Sequence, residues 1–476
     1  MFKAVAVLSA GLSLAVGVNE AFAQDPAMAV PPAPTREKKL TLFTAIDFGR
    51  IEAGEDMREN GFLGYDAGGT ALNRTYVNVG FTERVDDDFL VSVGVGGIFW
   101  RAFAASSSTP DDKVIRFGPG ISNAYMQWFP TANTDLTFGF FPYKYNAAAR
   151  NLGEYLFRTE AYPTIVYTGG WGWINDAQYS TLGAKFSMTS FDGMLRQDIG
   201  LFGEYFNSPI YDITPAYIAT VKPTNWFTVG GAGALHRYIT PTPKTKRELT
   251  KDYAYRKDFY VPAGPGRPEQ YVTMLESDLT ALVGNAGLNF DTVAAHPNNT
   301  GNNPDTVSFD LAAVKLMAFF ELDFNALLGL SEARMGKFNL YGEIAQLGLK
   351  NYPIFYTESS QRRPMMLGIS VPTYGLLNNL SFETEYLDNP TIESIASTYD
   401  RLDLVPDENF RYKTYNKDNV KWSVHASRNI TDFLTVYAQV ANDHMRLKDK
   451  YTTPQFIPVT NEKDHWYWLM RLQWAI

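Results

Sequence analysis

The chain has 476 residues, a formal net charge of −9, no cysteine, and 14% aromatic residues. The negative charge argues against nucleic-acid binding, and the lack of cysteine excludes disulfides as a source of stability. Many aromatic residues combined with a mildly negative mean hydropathy are typical of a membrane barrel, in which lipid-facing apolar residues alternate with polar ones.

The start of the chain predicts export. A positive charge at Lys3 precedes an uncharged apolar stretch, Ala4–Val18, and the small-x-small sequence Ala21-Phe22-Ala23 follows. A transmembrane helix anchor is the alternative, but the apolar run is shorter than the roughly 20 residues needed to cross a bilayer. We therefore expect residues 1–23 to be a cleaved signal peptide and residues 24–39 to be a Pro-rich periplasmic leader.

A period of two, which is the signature of β-strands, recurs between turn signals from residue 40 to residue 476. The predicted strands are 40–48, 72–82, 89–100, 121–129, 136–145, 180–188, 196–206, 214–221, 226–238, 311–324, 338–349, 365–371, 380–387, 420–425, 434–440 and 465–476. Connections after even-numbered strands are mostly short and those after odd-numbered strands are mostly long. The pattern predicts an all-β fold: a closed, antiparallel transmembrane β-barrel of about 16 strands (14–18), with short periplasmic turns and long external loops. A soluble sandwich or propeller would not produce this asymmetry.

The last strand has the clearest alternation. One face carries large apolar residues: Trp466, Trp468, Met470, Leu472, Trp474 and Ile476. The opposite face includes Arg471 and Gln473. The strand resembles the C-terminal signal that is read by the bacterial barrel-assembly machinery, with Trp468, Trp474 and Ile476 as the signal residues. It departs from that signal by ending in Ile rather than Phe.

A sixteen-stranded barrel is too wide for its own side chains to fill, so we expect a wet interior rather than an apolar plug. Ionisable residues at membrane depth are costly unless they face water or a partner. The period of two places the following residues on the inner wall of the predicted pore: Arg74, Asp198, Glu204, Lys315, Glu321, Glu343, Lys421 and His425.

The third long connection, Asn146–Gln178, reads NAAARNLGEYLFRTEAYPTIVYTGGWGWINDAQ. Its segment Ala147–Arg158 predicts a short helix, with Gly153 as the one strongly unfavourable residue. The arrangement resembles the general porins, whose third external loop folds into the barrel. The resemblance implies a pore constriction, and its charged residues here would be Arg150, Glu154, Arg158 and Glu160. The acidic, Gly-rich loop signature of enterobacterial porins is missing, and a loop lying on the rim or against a neighbouring subunit is the alternative.

These features favour a passive channel for small hydrophilic solutes in the cell outer membrane. The alternative is a non-conducting barrel whose external loops bind a surface, a polysaccharide or a partner protein. The connection 239–310 is either a binding lid or a solvated surface loop. Five histidines without metal-ligand spacing, and no Gly-x-Ser-x-Gly motif, predict no enzyme, metal site or cofactor. Outer-membrane lipid and the assembly machinery are the expected partners, and a homotrimer is suggested by analogy with porins.

Overall fold

A computed structural model describes residues 38–57, 63–66, 68–69, 71–103, 114–156, 180–203, 212–241, 249–252, 256–261, 270–275, 291–295, 306–309, 312–349, 359–387, 420–442, 457–459 and 464–476. In it, sixteen strands form one closed antiparallel barrel. They are β1 (Lys38–Ala53), β2 (Ala71–Arg84), β3 (Phe89–Phe103), β4 (Val114–Thr131), β5 (Thr134–Pro142), β6 (Ser180–Ser190), β7 (Leu195–Gly203), β8 (Ile213–Thr224), β9 (Phe227–His236), β10 (Ala313–Asp323), β11 (Asn339–Gln346), β12 (Met365–Ser370), β13 (Asn379–Tyr386), β14 (Val420–Thr431), β15 (Leu434–Ala441) and β16 (Trp466–Ala475). The predicted fold class and strand order are confirmed.

The barrel closes where the first and last strands meet. β1 pairs with β16 in a register that runs from Phe43 opposite Ala475 to Ile51 opposite Tyr467. Beyond the last residue pair, the backbone N–H of Leu42 donates to the carbonyl of Ile476 at 2.9 Å. Closure leaves the sheet without an edge, so every strand satisfies its backbone groups on both sides, as a strand in lipid must.

Side-chain alternation explains why these segments are strands of a membrane barrel. In β10, Val314 and Leu316 are exposed on the outside, whereas Lys315 and Met317 are buried on the inside. The same alternation runs around the ring and gives the barrel an apolar outer belt, which includes Leu42, Val77, Val79, Phe81, Val95, Phe138, Ile199, Leu201, Leu367, Phe382 and Val420. Such a surface is suited to hydrocarbon rather than to water.

Most turns at one end of the barrel are short. The connections 85–88, 132–133, 191–194, 225–226 and 432–433 join consecutive strands there. The longer connection 324–338 holds two short helices, α1 (Phe324–Leu328) and α2 (Glu332–Met335). The side chain of Asp323 caps α1 by accepting from the N–H of Ala326. In the described part of the chain, no helix is long and apolar enough to cross a membrane.

The connections at the other end are long, as predicted. Some of them contain short strands that form three small sheets separate from the barrel sheet. One sheet contains Glu55–Met57, Leu63–Asp66 and Ile457–Val459. The connection between β9 and β10 holds the other two, built from Leu249–Asp252 with Thr306–Phe309, and from Arg256–Val261 with Gln270–Leu275 and Asp291–Ala295. A 3₁₀ turn, Ser359–Arg362, precedes β12.

Candidate functional site

The described part of the third long connection, residues 143–156, lies inside the barrel. It is called the inner loop below. It leaves β5 after Pro142, which ends that strand before the predicted Tyr145, and it crosses to the wall formed by β11–β13. Contacts with wall residues more than 180 positions away in sequence fix it there. The described residues therefore have the in-folded arrangement implied by the porin resemblance, and they do not lie on the rim.

Glu383 of β13 is the first anchor of the inner loop. Three consecutive backbone N–H groups donate to its carboxylate: those of Arg150 (2.6 Å), Asn151 (2.8 Å) and Leu152 (2.8 Å). The hydroxyl of Tyr341 donates to the same carboxylate at 2.8 Å. Successive N–H groups that converge on one carboxylate form an anion-binding nest. In this barrel the nest belongs to the loop, and its anion is a side chain of the wall.

Glu343 of β11 is the second anchor and is held in the same way. The backbone N–H groups of Glu154 and Tyr155 donate to its carboxylate, each at 2.9 Å. The side-chain amide of Asn146 (3.0 Å) and the hydroxyl of Tyr145 (2.6 Å) complete the set. Burial and the nearby Glu343 raise the pKa of Tyr145 well above 10, so its phenol stays protonated and keeps donating.

The backbone of the inner loop is not helical, so the predicted helix over Ala147–Arg158 is wrong for its described part. Gly153 and Glu154 have φ angles of 83° and 60°, which lie outside the helical region. The N–H groups that a helix would pair with carbonyls four residues earlier are given instead to Glu343 and Glu383. A Cβ on Gly153 would lie 2.5 Å from the Cε of Met366, so the wall also selects glycine here.

Strand register explains how the wall presents both anchors on neighbouring levels. Glu343 lies level with Glu385, with Met366 between them. One level nearer the short turns, Tyr341 lies level with Glu383, with Gly368 between them. A Cβ on Gly368 would come within 2.3 Å of the Tyr341 ring. Because Gly368 has no side chain, the Tyr341 ring has room to lie across it, and the Tyr341 hydroxyl reaches Glu383.

Apolar packing fills the space between the inner loop and one side of the wall. Loop residues including Ala149, Leu152 and Tyr155 are at most 1% exposed. They belong to one cluster with these wall residues: Phe141, Phe202, Ala216, Ile218, Ala234, Met317, Phe319, Tyr341, Ala345 and Met366. The expectation of an interior without an apolar filling is therefore wrong on this side, which includes β5 and β7–β12. The period of two cannot reveal such a filling, because it does not separate an apolar residue that faces lipid from one that faces a folded loop.

The opposite side of the interior, formed by β13–β16 and β1–β4, is mainly polar and is called the polar sector below. Arg471 of β16 is bidentate to Asp47 of β1, with distances of 2.6 and 3.0 Å, at the barrel seam. Other inward side chains of the polar sector include Asn78, Ser92, Asn123, Lys421, Ser423, His425, Gln439 and Gln473. Phe43 and Tyr76 form a small edge-to-face contact among them.

The predicted wall residues fall on the inner face wherever their side chains are described. Asp198, Lys315, Glu343, Lys421 and His425 are buried there, and Glu321 accepts a hydrogen bond from Asn339 at 2.6 Å. Strand register puts Arg74 opposite Asp47, and its side chain is not described. Glu204, Arg158 and Glu160 lie outside the described residues. The roles of these residues in a pore wall or a constriction remain proposals.

Of the predicted constriction residues, Glu154 is used within the inner loop, where its carboxylate accepts from the backbone N–H of Asn146 at 2.9 Å. The sequence analysis assigned no role to Glu383, Lys144 or Lys337. The positive charge of Arg150 contributes to lowering the pKa of both lysines. No sequence motif marks these residues, since the contacts depend on how the loop folds back. Within the described residues, no group of three His, Asp or Glu side chains could hold a metal ion.

The closed ring, its apolar belt and the in-folded residues 143–156 define a transmembrane β-barrel of porin-like architecture. No protein-family model matches the sequence, and no curated protein matches it. Among solved structures, the high-pH form of Pseudomonas putida OprB is 8% identical with a TM-score of 0.44, and the match covers 92% of this chain and 94% of OprB. A triple mutant of Rhodopseudomonas blastica porin is 7% identical with a TM-score of 0.39, and the match covers 92% and 100%. At TM-scores below 0.5 these likenesses carry no argument, so the class rests on the strand pairing of this chain.

Proposed function

We propose that the chain is an outer-membrane channel through which small hydrophilic solutes diffuse passively. The observation that carries the proposal is the position of the inner loop, whose described part is anchored to one side of a wide barrel by Glu343 and Glu383. The polar sector faces it from the other side. A path between the two would be lined by hydrogen-bonding groups, which suits solutes that travel with water.

The location and partners of the channel are part of the same proposal. The apolar outer belt suits lipid, and the alternation on β16 suits recognition of Trp468, Trp474 and Ile476 by the barrel-assembly machinery. Export would use residues 1–23 as a signal peptide. Porin-like barrels commonly form trimers, and we extend a homotrimer to this chain by that analogy alone. The proposal involves no chemical reaction, metal or cofactor.

Single-channel recording of the full chain, purified and folded in detergent, tests the proposal in a planar bilayer. We expect stable openings whose conductance rises with salt concentration. The chain has no cysteine, so single-cysteine variants can locate the path. Thr435→Cys places a half-buried thiol on the inner face, and Thr384→Cys places one on the outer face.

A charged, water-soluble thiol reagent should reduce the current through Thr435→Cys and leave that through Thr384→Cys unchanged. A correctly folded barrel that never conducts would refute the channel and favour the non-conducting barrel with binding loops. Current that neither variant can block would place the path away from the polar sector.

A further inference from the structure

Two neighbouring connections at the short-turn end of the barrel are joined to each other and are called the turn pair below. They are residues 324–338, between β10 and β11, and residues 372–378, between β12 and β13. The backbone N–H of Thr373 donates to the carbonyl of Met335 at 2.6 Å, which holds the second connection against the first. The turn pair therefore behaves as one surface at the base of the strands that carry both anchors of the inner loop.

The first connection continues the apolar outer surface of the barrel. Leu322 of β10 pairs with Leu340 of β11, and the alternation of both strands places these leucines on the outside. Phe324 and Phe338 follow two positions further on in the same outward rows, and their ring centroids lie 4.7 Å apart. The outer belt thus runs past the ends of the strands and into the turn.

The short helix α1 extends this surface further. Leu327 and Leu328 follow Phe324 by three and four positions, the spacing that places side chains on one side of a helix. The two leucines are 47% and 59% exposed. By contrast, the exposed residues of the turn between β2 and β3 include three aspartates, Asp86–Asp88. Clustered apolar side chains of this size indicate a surface that meets something other than water.

The second connection lies against the outer face of the barrel. Arg428 of β14 is an even number of positions from the outward Val420, so it belongs to the outer face. Its Nη1 donates to the carbonyl of Gly375 at 2.8 Å and to that of Leu376. Leu376 and Tyr374 are each 73% exposed. An arginine at the end of an outward row suits the level of lipid head groups, where its stem lies along apolar groups and its charge reaches water.

The backbone of the first connection is paired from within the protein. The side chain of Asn325 donates to the carbonyl of Gly336 at 3.0 Å and accepts from the N–H of Phe338 at 2.6 Å. Asp323 caps α1, and the N–H of Leu330 donates to the carbonyl of Asn325 at 2.8 Å. Backbone groups with partners inside the protein can enter a membrane without the cost of losing hydrogen bonds to water.

We propose that the turn pair inserts into the leaflet at the short-turn end of the barrel. Leu327, Leu328 and Leu376 contact phospholipid acyl chains, and Arg428 lies among the head groups. This inference rests on the proposed location in the outer membrane. Phospholipid is the occupant, rather than a second copy or a soluble protein, because the exposed leucines continue the outward rows that the membrane already covers.

Fluorescence quenching by lipid tests the insertion with the full chain folded into phospholipid vesicles. The chain has no cysteine, so Leu328→Cys carries one environment-sensitive fluorophore. Phosphatidylcholine brominated on its acyl chains should quench this label, though less than a label on Leu367→Cys, whose residue is 51% exposed in the outer belt. Ala132→Cys, on an exposed turn at the same end, is the matched control and should keep its emission.

Equal emission from Leu328→Cys and Ala132→Cys in the presence of the brominated lipid would overturn the inference. Oxidative cross-linking of unlabelled Leu328→Cys into dimers would also overturn it, because a second copy would then cover the leucines. A label on Leu367→Cys that escapes quenching would instead refute the membrane location on which the inference rests. Conductance of the same variants is recorded separately, so that openings with an unquenched Leu328→Cys label would refute the insertion and leave the channel intact.

Discussion

Replacement of Glu383 by alanine should release the inner loop from the wall. The change removes the acceptor of three loop N–H groups, those of Arg150, Asn151 and Leu152, at 2.6–2.8 Å. Hydrogen bonds to a charged group contribute about 1.5–3 kcal/mol each. They are not additive, and Glu343 still holds the second half of the loop. We therefore expect the free energy of loop docking to fall by about 3–4 kcal/mol, within the range seen when one partner of a buried charged contact is removed.

Amide hydrogen exchange measures this free energy at the residues concerned. Each 1.4 kcal/mol is a factor of ten in an equilibrium constant, so exchange of the three N–H groups should accelerate by roughly two to three orders of magnitude. Glu383→Gln keeps the shape and one carbonyl oxygen, and it should show a smaller acceleration. The control is Glu83→Ala, which removes a partner of the exposed Lys38 at 3.1 Å. A surface pair of this kind contributes at most about 1 kcal/mol.

Equal exchange rates in Glu383→Ala and the unmodified chain would show that the carboxylate does not hold the loop. A general loss of protection across the strands would mean instead that the barrel itself is destabilised. The strand amides of β2 and β3 therefore provide an internal reference. Conductance gives an independent measure, because a loop freed from Glu383 should make the openings larger or noisier.

Three further predictions follow from individual contacts. Gly153→Ala adds a Cβ 2.5 Å from Met366 Cε at a φ of 83°, and it should cost about 1–2 kcal/mol, measured by faster exchange in the loop; an unchanged rate would contradict the steric argument. Asp47→Ala removes the bidentate carboxylate contact of the buried Arg471 at the seam and should destabilise the barrel by about 3–5 kcal/mol, seen as a lower unfolding temperature on semi-native gels. Because the pKa of Lys144 is about 8, this side chain is charged below that pH and neutral above it, so the reversal potential across a KCl gradient should move toward that of potassium as the pH rises from about 7 to 9; a flat profile would mean that Lys144 does not affect permeation.

The barrel could be predicted from sequence because the lipid outside and the polar interior together impose a period of two residues on every strand. Lipid outside and polar groups inside alternate along every strand, as in β16, where Trp468 and Trp474 face outward and Arg471 faces inward. The alternation of short and long connections then supplied the topology without any pairing information. Strand ends were less accurate, because the pattern continues past a strand: β5 ends at Pro142 rather than at Tyr145.

The inner loop could be placed only by its resemblance to porins, and its conformation could not be predicted. The segment that starts at Ala147 has helix-forming residues and satisfies helical propensity. What overrides that propensity is a pair of carboxylates about 200 positions later in the chain. Glu343 was placed on the inner face by the period of two, but a backbone N–H has no signature in the sequence. Gly153 was the only local sign of the true conformation.

The use of backbone rather than side-chain donors has a consequence for how this barrel can vary. Any residue except proline supplies an N–H, so Arg150 and Asn151 can be exchanged without losing the bonds that fix the loop on Glu383. In each of these residues the backbone N–H anchors the loop to the wall, whereas the side chain would line the proposed channel. A porin-like barrel that held its loop by arginine–carboxylate pairs would lose its constriction geometry whenever its selectivity changed. In the channel proposed for this chain, the wall glutamates would set the geometry of the loop, and the side chains of the loop would set which ions pass.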